Sequence, residues 1–169
     1  MPPRPRTPNT ADTLAAVAPL VTRWMERVLA SHDPPLTLGQ YLGLRAIAAG
    51  TESAADLARA AGVSEAAVSQ LMAAFERAGT VARTAAGPDR RRRRPALTAE
   101  GERVLRSAQR LVRSRLDPML TALAPHESDA LAAALARLEP VLAGTAPPRR
   151  PRPPHPPMGH RPHPPPPPQ

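Results

Sequence analysis

The fold of this protein is decided by residues 53–98, SAADLARAAGVSEAAVSQLMAAFERAGTVARTAAGPDRRRRRPALT. Ser53 and Ser64 can each accept the free backbone N–H groups at the start of a helix, and Gly62 can adopt the left-handed conformation that ends one. Because Ser64 follows Gly62 by two positions, the turn between the helices must be short. The stretch therefore predicts a helix-turn-helix, the motif whose second helix enters the major groove of DNA.

The second predicted helix has two contrasting sides. Val68, Leu71, Met72 and Phe75 follow the i, i+3, i+4, i+7 spacing of a buried stripe. The residues of the opposite side are small or able to hydrogen-bond, which favours a close approach to another surface. We predict that this side and the capping Ser64 contact DNA, the residues being Glu65, Ala66, Ser69, Gln70 and Ala73. The alternative is a structural helix in an unrelated bundle.

A basic hairpin follows this helix. Strand-like branched residues in 80–84 precede turn-forming residues in 86–89, and Pro95–Leu97 returns the chain. The tip is predicted to hold five arginines, Arg90–Arg94, which repel one another unless a polyanion neutralises them. A basic hairpin beside a helix-turn-helix is a winged helix, whose arginines suit phosphates and narrow minor grooves. The predicted contacts are Arg90, Arg91, Arg92 and Arg93, and the alternative is a run of solvated charges.

Seven short motifs of the chain stand in a characteristic order: LTLGQ (36–40), DLA (56–58), GVS (62–64), VSQ (68–70), RAGTVAR (77–83), PDRR (88–91) and LTAEG (97–101). In this order the chain resembles the MarR (multiple antibiotic resistance regulator) family of winged-helix transcription factors over roughly residues 11–143. The resemblance implies a mainly α fold with a small β wing, a winged helix-turn-helix flanked by dimerisation helices. It also implies a homodimeric regulator that binds double-stranded DNA at a roughly palindromic operator.

The resemblance implies roles for individual side chains as well. Asp89 is expected to order the wing by pairing with an arginine, while Arg91 or a neighbour reaches into the minor groove. Arg83 is equally suited to pairing with Asp89 and to contacting a phosphate. Gln70 stands where the family often has arginine, and glutamine suits adenine edges. Base readout is therefore expected from Gln70 and Ser69, with affinity supplied by the wing.

A small-molecule effector is also implied by the resemblance. Such a ligand would occupy the cleft between the dimerisation helices and the winged helix, and would lower DNA affinity by preferring the geometry that misplaces the recognition helices. The candidate lining residues are Trp24, Met25, Tyr41 and Arg45. The alternative for Trp24 and Met25 is a place in the core. Repression is the commoner outcome in the family, and activation is the alternative.

Helical patterns precede the central stretch. A first helix is predicted from about Ala11 to Ala30, and Pro19 either kinks it or opens its regular part. Thr37 and Gln40 have the spacing of a capping box, which predicts the start of the next helix. A first helix that lies outside the minimal DNA module is expected to serve dimerisation.

Two further helices are predicted after the hairpin. Thr98 caps a long helix that Pro118 should bend or divide, and Pro125 opens the last helix as a first-turn residue. The last helix has an apolar edge formed by Leu131, Leu135, Leu138 and Leu142. Because this edge needs a partner, we expect these helices to form the dimer with the first helix.

These patterns divide the chain into five segments: a disordered Pro/Arg arm (1–10), the N-terminal dimerisation helix and link (11–36), the winged helix-turn-helix DNA-binding domain (37–98), the C-terminal dimerisation helices (99–143) and a disordered Pro-rich tail (144–169). Thirteen prolines among the last 25 residues favour a solvated polyproline chain. Alternatives for the tail are additional DNA affinity, metal binding through His155, His160 and His163, or recognition by an SH3- or WW-like domain. The last would make the protein a DNA-free adaptor.

Composition limits the other functions. The net charge of the 169 residues is +9, but six of the 23 arginines lie in the two proline-rich ends, which have no acid. The case for DNA therefore rests on the local arginine cluster. The absence of cysteine excludes disulfides and cysteine nucleophiles. Without a recognisable triad, metal spacing or phosphate loop we expect no enzyme, cofactor or metal, and without a signal peptide or membrane span we expect a cytoplasmic protein.

Overall fold

The computed structural model describes residues 9–51, 53–86 and 89–144. These ranges contain six helices and a two-stranded antiparallel sheet, so the predicted fold class, mainly α with a small β wing, is confirmed. The elements are α1 (Thr10–Ala30), α2 (Leu38–Ala48), α3 (Ala54–Ala61), α4 (Glu65–Arg77), β1 (Val81–Ala86), β2 (Asp89–Leu97), α5 (Ala99–Leu120) and α6 (Pro125–Gly144). The predicted arm up to residue 8 and the tail from residue 145 lie outside the described residues.

Helix α1 is continuous through Pro19, so the alternative in which its regular part begins at that proline is wrong. The helix begins one residue earlier than predicted, because the Asn9 side chain accepts a hydrogen bond from Asp12 N at 2.9 Å and caps it. Residues 10–23 are all exposed, and α1 packs against the core only from Trp24 onward. Two thirds of this helix therefore contribute nothing to the core of its own chain.

The predicted start of α2 is confirmed. Thr37 Oγ1 accepts from Gln40 N at 3.1 Å, and Gln40 Oε1 accepts from Thr37 N at 2.8 Å, which is the reciprocal pair of a capping box. Each bond satisfies an N–H group that the helix itself leaves without a partner. The local sequence alone thus fixes where this helix begins.

Helix α5 runs without interruption through Pro118 to Leu120, so the proline does not divide it. Only two helical residues follow Pro118. The proline removes the one backbone N–H that position 118 would donate, and the position is so close to the end of the helix that little helical structure depends on it. Helix α6 begins at Pro125, as predicted, and Glu127 Oε2 accepts from Ala124 N at 2.8 Å. No helix in the described ranges has the length of apolar sequence that a bilayer crossing requires.

The hairpin differs from the prediction in where it places the arginines. Ala86 is the Cα partner of Asp89, so only positions 87 and 88 separate the strands, and the arginines belong to β2 instead of the tip. A connection this short turns the chain at once, so the residues after it enter the returning strand. The register shifts before Arg93, which pairs with Ala85, and residues 90–92 have no Cα partner among the described residues of β1. Extra residues of this kind bulge from a strand.

The core lies between α2, α3, α4 and the first half of α5, with the end of α1 closing one side. Leu29, Leu44 and Val104 are its most enclosed large side chains. Gly43 allows α2 to approach α4, because a Cβ at this position would lie 3.1 Å from Phe75 Cζ. Other buried members of the core are Tyr41, Ile47, Leu57, Val68, Met72, Val81, Leu105, Ala108 and Val112.

A backbone crossing joins the chain that leaves α4 to the start of α5. Thr98 N donates to Thr80 O at 3.1 Å, and Thr98 Oγ1 donates to Gly79 O at 2.7 Å. The same hydroxyl accepts from Gly101 N at 3.0 Å, so it caps α5 and holds it in place. Gly101 makes the contact possible, because a Cβ there would overlap the Thr80 carbonyl oxygen.

Gly101→Ala should lower the free energy of unfolding by about 2 kcal/mol or more, because the added methyl group has to push α5 away from the Thr80 backbone. Urea unfolding followed by circular dichroism measures this. Gly39→Ala is the matched control, because a Cβ at Gly39 meets its nearest neighbours at 3.5 Å and alanine is the better helix former. Its midpoint should stay equal or rise. An unchanged midpoint for Gly101→Ala would contradict the importance of the crossing.

Candidate nucleic-acid interface

The turn between α3 and α4 has the predicted geometry. Gly62 adopts the left-handed conformation with φ +67°, and Val63 N donates to Ala58 O at 3.0 Å. Ser64 Oγ accepts from Ala67 N at 3.3 Å and caps α4. Ser53 caps α3 in the same way, accepting from Asp56 N at 3.0 Å. Both helices are therefore capped by residues next to them in the sequence, and the left-handed Gly62 reverses the chain between them.

Helix α4 buries one side and exposes the other. Val68, Met72 and Phe75 are buried, and Leu71 is half-buried against the core. All the residues on the side predicted to face DNA are exposed, namely Ser64, Glu65, Ala66, Ser69, Gln70 and Ala73. The structure therefore brings these six residues to one surface. Small side chains at two of these positions allow the helix backbone to come close to another molecule.

The wing stands next to this surface, joined to α4 by the short link 78–80. Its second strand contains the arginine run and pairs with β1, the strand that contacts α4. The predicted contacts of Arg90, Arg91, Arg92 and Arg93, and the wing-ordering contact of Asp89, involve side chains that lie outside the described part of the chain. Arg94 is exposed and lies opposite Thr84 of β1.

Arg83 has a partner that the sequence analysis missed. Its Nε donates to Glu76 Oε1 at 2.8 Å, which joins β1 to the last turn of α4. Glu76 follows Ser69 and Ala73 at the i+7 and i+3 spacing, so it lies on the side of α4 predicted to face DNA. The signal in the sequence is an acid in the last turn of α4 seven residues before an arginine in the first strand of the wing.

A groove of about 360 Å³ separates α4 from the wing. Ser69, Ala73 and Glu76 line its helix side, and Arg83 and Pro95 line its wing side. Residues of α3, and Ser53 that caps it, reach the groove from the start of that helix. The wing is thus joined to α4 through the link 78–80 and the Glu76–Arg83 contact, and elsewhere the groove separates it from the exposed side of α4.

The charges of α5 are partly paired within the helix. Arg103 donates to both oxygens of Glu100, at 2.6 and 2.8 Å, and this hydrogen bonding lowers the pKa of the Glu100 carboxyl and raises the pKa of Arg103. Arg106 pairs with Glu102 at 3.0 Å. Both ion pairs are exposed, so solvent screens them strongly. They keep two acids of α5 next to arginines of the same helix.

Of the four candidate ligand-lining residues, three lie in or against the core and one is exposed. Tyr41 is buried in the core with 5% of its surface exposed, and Trp24 and Met25 are half-buried against the core. Arg45 is exposed, and its guanidinium lies 5.9 Å from the centroid of the Tyr41 ring. Arg45 also lines a cleft of about 1160 Å³ between α2, α3 and α6, where Leu135, Ala136, Leu138 and Leu142 form the opposite wall.

A second cleft lies on the other side of α2. It has a volume of about 690 Å³ and is bounded by the end of α2, by β2 and by α5. Its polar lining includes Arg94, Glu102, Arg106 and Gln109. Both clefts lie between the winged helix and the long helices; Arg45 lines the first of them, and Trp24, Met25 and Tyr41 line neither. The lining depends on how the helices cross, which periodicity does not determine.

Exposed apolar side chains concentrate outside the winged helix. In α1 they are Leu14, Val17, Leu20 and Val21, with Leu20 exposed to 56%. At the end of α5 they are Met119 and Leu120, and in α6 they are Leu131, Leu135, Val141 and Leu142, with Val141 exposed to 62%. Large apolar surface left open on three helices marks an interaction site.

Comparisons with known proteins agree with this architecture. A family model described as MarR family matches residues 35–92. The MarR family protein Rv2887 of Mycobacterium tuberculosis, solved in complex with salicylic acid, is 26% identical, with a TM-score of 0.66 over 78% of this chain and 97% of that chain. CouR, a transcriptional repressor bound to a 23-mer DNA duplex, is 25% identical, with a TM-score of 0.61 over 78% and 92% of the two chains.

A more distant structure supports the fold alone. A cysteine-to-serine mutant of MarR from E. coli is 19% identical, with a TM-score of 0.65 over 80% of this chain and 99% of that chain. Among curated proteins no sequence match is found. The family resemblance inferred from the sequence motifs is confirmed by the family model and by the shared fold.

Proposed function

This chain belongs to the MarR family of DNA-binding transcription regulators, and we propose that it is a repressor that a small-molecule effector releases from a pseudo-palindromic operator. The observation that supports the proposal is the exposed side of α4, where Ser69 and Gln70 stand beside a wing that carries five arginines. A similar protein is bound to DNA, and another to salicylic acid.

The two parts of this surface have different tasks. Small residues such as Ala66 and Ala73 allow α4 to enter a major groove, where the amide of Gln70 can form two hydrogen bonds with an adenine edge. The side of α4 predicted to face DNA has one long basic side chain, Arg77 in the last turn, against the acids Glu65 and Glu76, so its own attraction for phosphates is weak. The wing arginines supply that attraction and fix the register of the protein on the duplex.

The experiment that tests the function is the enrichment of fragments of genomic DNA on the purified protein, followed by sequencing. Recovery of one roughly palindromic motif, shifted in an electrophoretic assay at physiological ionic strength, supports the proposal. The protein's own upstream DNA is a direct first probe. Equal retention of all duplexes would exclude sequence-specific regulation, and retention of no duplex would favour the DNA-free adaptor.

Gln70→Ala should reduce the preference for the operator over a scrambled duplex by about 1–3 kcal/mol, because one bidentate base contact is lost. Replacing Arg91, Arg92 and Arg93 by glutamine should instead weaken binding to both duplexes and flatten the dependence of log K on log salt, because fewer counterions are released. Titrations at several salt concentrations measure both effects. If Gln70→Ala weakened binding to both duplexes and the arginine variant lost only the preference for the operator, base readout by Gln70 and phosphate attraction by the wing would both be contradicted.

A homodimer accounts for the apolar surface of α1, α5 and α6. A partner that covers these helices would bury side chains that the single chain leaves open, such as Leu20 and Leu142. Twofold symmetry then presents two α4 helices to one side of the duplex, about one DNA turn apart. The pseudo-palindromic operator follows from that symmetry.

Val21→Asp should weaken the dimer tenfold or more, because two carboxylates would enter an apolar interface. Sedimentation equilibrium at micromolar concentration measures the association. Ala15→Asp is the matched control, since it adds the same side chain to α1 on the side away from the apolar stripe. Equal association of the two variants would show that α1 does not form the interface, and a monomeric wild type would exclude the dimer.

The effector is proposed to bind the cleft between α2, α3 and α6. Arg45 lies on its wall and can attract an anion, and the leucines of α6 offer apolar contact to the rest of such a ligand. Binding there can weaken DNA affinity only as far as the ligand prefers the released geometry over the DNA-bound one. Salicylate is the first probe, because a similar protein binds salicylic acid.

Arg45→Ala should raise the salicylate concentration needed to release the operator by roughly tenfold, because one charge-assisted hydrogen bond is lost. Affinity for DNA without salicylate should stay within about twofold, because Arg45 is remote from the surface of α4. Fluorescence anisotropy of a labelled operator measures both. Arg110→Ala, an exposed arginine of α5 outside this cleft, is the control. An equal salicylate response of the two variants would place the effector elsewhere.

A further inference from the structure

We propose that the Glu76–Arg83 ion pair is a positioning contact, which holds the wing at the angle to α4 that one specific DNA site requires. The inference rests on the proposed function, because it concerns how the protein discriminates between duplexes. It adds Glu76, an acid on the side of α4 that faces DNA, to the residues that determine specificity.

The wing is weakly held where Arg83 lies. Arg83 is the Cα partner of Pro95, and proline has no N–H, so this pair of residues contributes at most one hydrogen bond to the ladder. A two-stranded hairpin is marginally stable by itself. The groove between α4 and the wing also removes side-chain packing that would otherwise fix the wing. A contact from outside the hairpin can therefore fix the position of the wing near Arg83.

The geometry of the pair suits that task. Glu76 lies in the last turn of α4 and Arg83 is the third residue of β1, so the 2.8 Å contact spans the link between the two elements. Arg77 makes a different contact: its Nε donates to Ala73 O at 3.2 Å, and no ion pair between Arg77 and Glu76 is present among the described contacts. Among the described residues, Glu76–Arg83 is the ion pair that joins the recognition helix to the wing.

Stability of the fold does not explain the pair. The side chains of Glu76 and Arg83 are 41% and 55% exposed, and exposed ion pairs contribute little to folding. Recognition makes a stricter demand, because α4 and the wing must enter two different grooves of the same duplex. Contacts of this kind need supporting residues that hold the partners within about 0.5 Å. A weak ion pair can thus matter for specificity while it hardly affects unfolding.

Simple electrostatics and positioning predict opposite effects of removing the Glu76 charge. If the carboxylate is only a negative charge near phosphates, Glu76→Gln should strengthen binding to every duplex. The same should hold if Glu76 merely withholds Arg83 from a phosphate. If the pair positions the wing, Glu76→Gln should weaken binding to the operator, although the protein becomes more positive. The sign of the effect therefore separates the explanations.

The experiment compares wild type, Glu76→Gln, Arg83→Gln and the double variant on the enriched operator and on a scrambled duplex of equal length. We expect Glu76→Gln to lose roughly three- to tenfold in operator affinity and to keep or gain affinity for the scrambled duplex. The double variant should bind the operator no more weakly than Arg83→Gln, since Glu76 has nothing to position once Arg83 is gone. Melting temperatures should agree among all four proteins.

Glu102→Gln is the matched control, because it removes the same charge from a similarly exposed ion pair that lies within α5. It should not lose operator affinity. Tighter or unchanged operator binding by Glu76→Gln, or an equal loss in Glu102→Gln, overturns the inference while the wild type still discriminates. A wild type that shows no preference between the two duplexes overturns the proposed function, and the inference with it.

Discussion

The crossing of Thr80 and Thr98 is the constraint on which the arrangement of the winged helix depends. One threonine hydroxyl caps α5 and at the same time donates to the carbonyl of Gly79, where the chain leaves α4. Gly101 lets the two backbones come into contact, and any side chain there would force them apart. The start of α5 and the end of α4 are therefore one rigid joint. Because the wing begins and ends at this joint, its base is held as firmly as the core.

Away from the joint, the wing depends on weaker interactions. The ladder has a proline opposite Arg83, and its register shifts before the turn. An open groove lies between β1 and α4. Charges take the place of packing in this region, where Glu76 meets Arg83 and the arginine run follows in β2. The wing is therefore fixed at its base by backbone contacts, and it is tied to α4 near Arg83 by an exposed ion pair.

The arginine run and the exposed apolar surface belong to different elements. The run lies in β2 of the wing, while the exposed leucines and valines lie on α1, the end of α5 and α6. The proposed DNA-binding dimer needs both surfaces, and it needs them apart so that association leaves the recognition surface free. The clefts on the two sides of α2 lie between these regions, where a bound molecule can contact the winged helix and the long helices together.

The sequence by itself determined the elements of this protein and the exposed side of α4, because caps, glycines and helical spacing act through neighbours in the chain. Thr37, Ser53, Ser64 and Thr98 all cap the helices that they were predicted to start. The tertiary structure alone decided that Arg83 contacts Glu76, how far the arginines lie from the turn, and which residues line the clefts. These features depend on distances between segments far apart in the chain, on strand register and on helix crossing, and no local pattern encodes such distances. The Gly101 contact belongs to the same class, because its close neighbour is the carbonyl oxygen of Thr80, on the far side of the whole hairpin in the sequence.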